Sequence, residues 1–195
     1  MSLDLTTRPA RKSDASEIAL LVNIAVHGGM VRRWAADESA ADTYDPIEVG
    51  RLEMMTDDEF GWRSVTMAEV DGEVAGMMLG YRKPDIFEAV PDNVTGFMRP
   101  IEELEAEAAG RWFISMLGVH AGWRGKGVGS GLLAIADAKC AETTASGAAL
   151  IVEDANDGAR RLYERKGYAV RSRRKMVKFA GSGMSGKDWL LMVKE

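Results

Sequence analysis

Apolar positions change their spacing in a set order along the chain, and that order predicts strands alternating with helices. Residues 3–8 alternate weakly between apolar and polar and stop at Pro9, which suits a first strand that ends there or lies at a sheet edge. Ser13 follows as an N-cap, with Asp14 and Glu17 in the first helical turn. Ile18, Leu21, Val22 and Ala25 then mark one helical face until Gly28 and Gly29 stop it. His27 falls at the end of this helix, where a cation meets the negative pole. Residues 30–41 and 47–55 carry patchier helical spacing around the turn signal Asp45-Pro46. Residues 65–70 and 73–81 read as a hairpin, because Asp71-Gly72 supplies the left-handed pair that a two-residue turn needs.

Residues 82–110 form an insertion-like connection with Pro84, Pro91, Asn93 and Pro100, followed by a short helix at 101–109 bearing Glu102, Glu103, Glu105 and Glu107. A connection this long is usually functional or mobile, so the acidic helix reads either as a solvated surface or as a lid over a substrate. Apolar spacing then returns. Residues 111–119 form a strand, and 127–144 form a helix with Val128, Leu132, Ile135, Ala136 and Lys139 three or four apart. A short apolar strand at 148–153 follows Gly147, and strand, helix, strand in this order predicts a right-handed parallel crossover. Residues 169–177 and 188–193 read as a closing antiparallel pair around the loop FAGSGMSG. The whole predicts a mixed sheet.

Composition narrows the class. A chain of 195 residues fits one domain, and with 46% hydrophobic and 28% charged residues it reads as a soluble globular protein. No apolar run approaches the roughly 18 residues that span a bilayer, and the best candidate, 18–26, is broken by Asn23. The start carries Asp4 and Arg8 and no apolar signal core, so a cytoplasmic protein is expected. Cys140 is the single cysteine and lies eight residues after Leu132, which suits a packed helix position rather than a nucleophile. His27 and His120 stand far apart and no cluster has zinc spacing, so no metal is expected. The net charge of −5 argues against nucleic acid as a partner, and nothing argues for a membrane. The charge is also segregated: residues 37–59 hold nine acids against Arg51, and residues 158–178 hold nine bases against Glu164.

The stretch 117–136, LGVHAGWRGKGVGSGLLAIA, carries the chemistry. Gly125, Gly127 and Gly129 lack a Cβ, so several backbone N–H groups can converge on one point. At a helix start those groups are unpaired donors at the positive pole, where phosphate is favoured. Arg124 and Lys126 add positive charge, and the segment reads as an anion cradle. It is not a Walker loop, which needs Ser or Thr where Gly127 follows Lys126, nor the dinucleotide pattern, which needs glycine where Ser130 stands.

Arg124 followed by Gly127 and Gly129, after an apolar strand ending at Val119, resembles the acetyl-CoA loop of the GNAT N-acetyltransferase superfamily. A second segment, DANDGARRLYERKGYAV, resembles that superfamily's second signature, with Asn156, Ala159, Leu162-Tyr163 and Lys166-Gly167-Tyr168 at the matching places. Asn156 and Gly167 are equally a natural N-cap and C-cap. The likeness covers 111–178 well and the first strand and helix, RPARKSDASEIALLV, loosely.

The resemblance implies an α/β fold of the GNAT acyl-CoA N-acyltransferase type, a twisted mixed sheet of six to seven strands with helices on both faces. Residues 1–195 would form a single domain, with 111–178 its acetyl-CoA-binding core. It further implies direct transfer of acetyl from acetyl-CoA to a primary amine, without a covalent enzyme intermediate. Backbone groups at Leu117 and Val119 would hold pantetheine. Arg124, Gly125, Lys126, Gly127, Val128, Gly129 and Ser130 would hold the pyrophosphate, and Asn156 the pantetheine or a bound water. The Val119 N–H is the candidate oxyanion donor, and Tyr163 either protonates the CoA sulfur or only packs against the cofactor. The superfamily often places a glutamate on the strand before the loop, where this chain has Ser115 and no acid. That leaves water acting through backbone carbonyls, or an acid from the insertion, as the base. His120, beside Val119, either reaches the amine or faces solvent in a turn. The missing glutamate also keeps a second function open, a CoA-binding sensor or interaction domain. The expected partners are acetyl-CoA and an amine acceptor, and many members form a homodimer. The acidic stretch either draws in a cationic amine or is a solvated surface.

Overall fold

The computed structural model describes residues 4–35, 45–178 and 183–195. Among them the elements run β1 (Leu5–Pro9), α1 (Ala15–Ala25), α2 (Gly29–Ala35), α3 (Pro46–Met54), β2 (Val65–Val70) and β3 (Glu73–Arg82). They continue with α4 (Met98–Ala106), β4 (Trp112–Val119), α5 (Val128–Glu142), β5 (Ala148–Glu153), α6 (Asp157–Arg165), β6 (Ala169–Lys175) and β7 (Asp188–Lys194). The strands form a mixed sheet in the order β1-β2-β3-β4-β5-β7-β6. Strands β4 and β5 pair in parallel, over Trp112↔Ala148 to Ile114↔Leu150. No described helix is long and apolar enough to cross a membrane.

Two compact units make up the chain. The first comprises Met1–Leu79, Met116–Leu132 and Gly181–Gly183. In it β1 pairs antiparallel with β2, and β2 with β3 through the Asp71-Gly72 turn, whose φ values of 53° and 82° are the left-handed pair that Asp-Gly predicts. Ile18, Ala19, Leu21 and Val22 of α1 are buried, as the apolar spacing requires. Ser13 does not cap this helix. A single tight turn, Lys12–Asp14, precedes it, and the Asp14 carboxylate accepts the Arg11 N–H at 2.6 Å and an ion pair from Arg8 at 2.7 Å. A charged carboxylate bonded to both outcompetes the serine hydroxyl. Asp45-Pro46 is a helix start rather than a plain turn: the Asp45 side chain accepts from the Ile47 N–H, with Pro46 in the first helical position. The predicted helix over 30–41 is realised as α2 up to Ala35, and 36–41 lie outside the described residues.

The second unit comprises Gly80–Ser115, Leu133–Ala180 and Met184–Glu195. In it β7 lies between β5 and β6, antiparallel to both. Lys83 N–H donates to the Arg111 carbonyl at 2.9 Å and Gly110 N–H to the Pro84 carbonyl at 2.7 Å, so the long connection leaves and re-enters the sheet at one neck. Its helix starts at Met98 rather than at residue 101, because Pro100 falls within the first turn, where the missing N–H costs nothing. Pro100 and Leu104 are its buried positions. Residues 179–182 of the FAGSGMSG loop lie outside the described set.

Candidate active site

Strand β4 delivers its last residues to the start of α5 through a short turn at Ala121–Trp123. The His120 N–H donates to the Ala75 carbonyl of β3 at 3.0 Å. Successive strand amides point to opposite edges, so the Val119 N–H points away from β3. The Arg124 side chain folds back, its Nε donating to the Val119 carbonyl at 3.2 Å.

The cradle takes the form the glycines predict. Gly125 and Gly127 have φ of +71° and +96°, and a Cβ at either would meet nothing within 4 Å, so conformation and open space both favour glycine there. The first helical bond runs from the Gly131 N–H to the Gly127 carbonyl at 2.9 Å. The N–H groups of Val128, Gly129 and Ser130 therefore precede the helix's own ladder, at its positive pole. Val128 is buried and anchors the turn, while Arg124 and Lys126 are exposed. The Lys126 ammonium stands 4.7 Å from the Trp123 ring centroid, a cation–π contact that holds it at the mouth of the loop. Gly129 has no left-handed φ; it is a helical residue. Leu117 and Val119 are half-buried along the same strand.

His120 is neither a bare solvent-facing turn residue nor free to rotate. Its Nε2 meets the Glu17 Oε1 of α1 at 2.5 Å.

The sequence model described as the acetyltransferase (GNAT) family matches residues 30–168, a span that holds β2 to α6 and the whole cradle. The chain belongs to the acetyltransferase (GNAT) family. The protein is an acetyltransferase.

Its fold agrees with solved members. A crystal structure of an acetyltransferase matches with a TM-score of 0.64 at 21% identity, covering 97% of this chain and 98% of that one. An N-acetyltransferase from Staphylococcus aureus Mu50 matches at 0.61 and 16%, covering 96% and 99%. Arabidopsis thaliana Naa50 in complex with the bisubstrate analogue CoA-Ac-MVNAL matches at 0.59 and 17%, covering 100% and 99%. At these identities the likeness establishes the fold. No curated protein sequence matches the acetyltransferase.

The remaining sequence candidates lie in the second unit. The Asn156 Oδ1 accepts the Ala159 N–H at 3.2 Å and so caps α6. Gly167, at φ +91°, closes that helix, with the Tyr168 N–H bonded back to the Tyr163 carbonyl at 3.0 Å. Tyr163 is buried, its ring centroid 6.0 Å from that of Tyr168, and burial pushes its phenol up to about 12. The phenol is therefore neutral at ordinary pH. Cys140 is half-buried and burial raises its thiol, which suits packing and not thiolate chemistry.

Three carboxylates of the acidic helix are engaged by neighbouring side chains. Glu103 accepts from Arg99 at 2.6 Å and from Arg174 of β6 at 3.0 Å. Glu107 accepts from Arg174 at 2.7 Å and from the Ser172 hydroxyl at 2.5 Å. Glu105 takes the Tyr81 hydroxyl at 2.7 Å and Lys83 at 2.9 Å. These carboxylates dock α4 onto the sheet.

One buried acid had no place in the sequence reading. Glu153 closes β5 at 6% exposure, and its Oε2 has no hydrogen-bond partner. The signal in the sequence was a lone acid ending the apolar run AALIVE.

Proposed function

We propose that the protein transfers acetyl from acetyl-CoA directly to a primary amine, in the cytoplasm. The observation that carries this reading is the pair of left-handed glycines in open space ahead of the α5 amides, which suits the diphosphate of coenzyme A. Arg124, Gly125, Lys126 and Gly127 with the amides of Val128, Gly129 and Ser130 would hold that diphosphate. Backbone groups at Leu117 and Val119 would hold pantetheine beyond the point where the β4–β5 ladder stops, at Ile114↔Leu150. The Val119 N–H, aimed away from β3, serves as oxyanion donor as the thioester carbonyl becomes tetrahedral. Asn156 adds a polar contact to pantetheine or a bound water. Tyr163 gives its proton to the departing thiolate, for which a neutral phenol is the needed form.

Calorimetry with coenzyme A, followed by free-thiol release from acetyl-CoA with polyamines, aminoglycosides, amino acids and peptide N-termini, tests it. Binding together with thiol release in the presence of at least one amine is expected. Absence of any heat across a millimolar range overturns the reading.

A further inference from the structure

The peptide between Val119 and His120 is held on both sides. Its N–H, that of His120, donates to the Ala75 carbonyl of β3 at 3.0 Å and so fixes the plane of the peptide. Its C=O, that of Val119, points the opposite way across the trans bond, away from β3 and to the same side as the Val119 N–H. There the Arg124 Nε donates to it at 3.2 Å. We propose that this contact makes Arg124 a specificity residue, which covers the Val119 carbonyl against thioesters that lack a diphosphate and uncovers it for those that carry one. The inference rests on the acetyltransferase reading above, in which pantetheine pairs with the backbone at Val119.

The hold on the carbonyl is weak by its chemistry. All the participants, Ala75, Val119, His120 and Arg124, belong to the first compact unit. Among the described residues Arg124 has no carboxylate partner, and its bond to a neutral carbonyl lies at the long end of the hydrogen-bond range. A guanidinium so placed binds phosphate oxygens more strongly, since its planar fork meets two of them at once and the bonds are charge-assisted. The side chain is exposed, and the next residue, Gly125, turns left-handed with nothing within 4 Å of an added Cβ, so there is room for the guanidinium to swing to the loop.

Lys126 does not share this part. Its ammonium stands 4.7 Å from the Trp123 ring centroid, over the loop. Arg124 alone of the two cations joins the loop to the strand end.

The two kinds of thioester then meet different sites. A diphosphate settling on the amides of Val128, Gly129 and Ser130 draws the guanidinium to itself, and the bared Val119 carbonyl accepts an amide N–H of the pantetheine arm. A pantetheine thioester without diphosphate has to displace Arg124 unaided, and the displaced cation gains only water. Discrimination comes from this cost laid on the wrong donor as much as from the contact made to the right one.

The test measures the affinity of wild type, Arg124→Met and Lys126→Met for coenzyme A and for pantetheine by calorimetry, and kcat/KM with acetyl-CoA and S-acetylpantetheine. Arg124→Met is expected to bind coenzyme A about tenfold to a hundredfold more weakly, the worth of hydrogen bonds to a charged group, and pantetheine about two- to tenfold more tightly, the worth of the one bond removed. Its preference for acetyl-CoA over S-acetylpantetheine is expected to shrink by the product of the two. Lys126→Met is expected to weaken coenzyme A and leave pantetheine unchanged. In wild type, inorganic phosphate is expected to tighten pantetheine relative to chloride at equal ionic strength, and to have no such effect in Arg124→Met. The phosphate arm reads wild type by itself, so it decides the matter should Arg124→Met fail to fold. Pantetheine affinity that is unchanged or weaker in Arg124→Met, or indifferent to phosphate in wild type, overturns the assignment while leaving the acetyltransferase reading standing. Wild type that binds no coenzyme A overturns both.

Discussion

A Cβ on Gly118 would lie 2.4 Å from the carbonyl oxygen of Leu21. Helix α1 and strand β4 therefore meet backbone to backbone one residue before Val119, and the closeness of that approach fixes where the strand's end is presented. The obstructing atom is a helix carbonyl, which cannot rotate aside as a side chain could. Gly118→Ala is expected to lower stability by about 1–3 kcal/mol, the usual range for overpacking a tight contact. Gly122→Ala, four residues on with nothing within 4 Å of its added methyl, is expected to stay within about 0.5 kcal/mol of wild type. Urea unfolding of the two variants checks this, and equal midpoints would contradict the packing argument.

The cradle makes a prediction about charge rather than shape. A side chain at Gly127 meets no protein atom within 4 Å, so Gly127→Asn and Gly127→Asp carry the same backbone strain at φ +96° and differ only in a negative charge. Both are expected to fold. Gly127→Asp is expected to bind coenzyme A at least tenfold more weakly than Gly127→Asn, because its carboxylate occupies the positive pole meant for a phosphate. Calorimetry on the pair isolates the electrostatic part, and equal affinities would remove the diphosphate from this loop.

What the sequence disclosed follows the range of the interactions involved. The hairpin turn, the α6 caps and the glycine loop are each written within a few neighbouring residues, and the left-handed Asp71-Gly72 pair, the Asn156 and Gly167 caps and the left-handed Gly125 and Gly127 all take the local conformations the sequence suggests. The Ser13 cap failed for a longer-range reason, since Arg8 reaches Asp14 and draws the chain into a tight turn first. The docking of the acidic helix was hidden for the same reason: its partners Ser172 and Arg174 lie 65 to 71 positions away, out of sight of any local pattern. Glu17 and His120, 103 positions apart, are a third case. Placing β7 between β5 and β6 likewise depends on pairing that no run of residues announces.

Tyr163 can be asked whether its phenol works or only packs. Tyr163→Phe keeps the ring that leans on Tyr168 at 6.0 Å and removes one oxygen. As proton donor to the thiolate it is expected to cost about 10²–10⁴-fold in kcat with little change in coenzyme A affinity, whereas pure packing leaves kcat unchanged. The alkaline limb carries a second signature. Burial raises the folded-state value to about 12, above the ordinary phenol near 10, so the stabilising preference for the protonated form is complete below pH 10 and is lost as pH rises toward 12. The melting temperature of wild type is expected to fall more steeply across that window than that of Tyr163→Phe. Parallel curves would place the phenol in contact with solvent.

The docking of α4 separates a structural carboxylate from a substrate-binding one. Arg174 bridges Glu103 and Glu107, and the Arg99 and Arg174 guanidiniums, Arg99 foremost, hold the Glu103 carboxyl below the usual carboxylate range. A lowered value means that the contribution is present above the ordinary carboxylate pKa and is lost as pH falls through the lower one, so it disappears on the acid side only. Because these side chains are 26% to 37% exposed, each single effect is small, and the double-mutant cycle is the sharper instrument. Glu107→Gln and Arg174→Gln are each expected to lower the urea midpoint, and the double variant to lose less than the sum, because the second change removes a partner already lost. The KM for the amine is expected to stay at the wild-type value in all three. A lid over the acceptor would give the opposite pattern, with additive stabilities and a raised KM, since its carboxylates would then be spent on the substrate and not on β6.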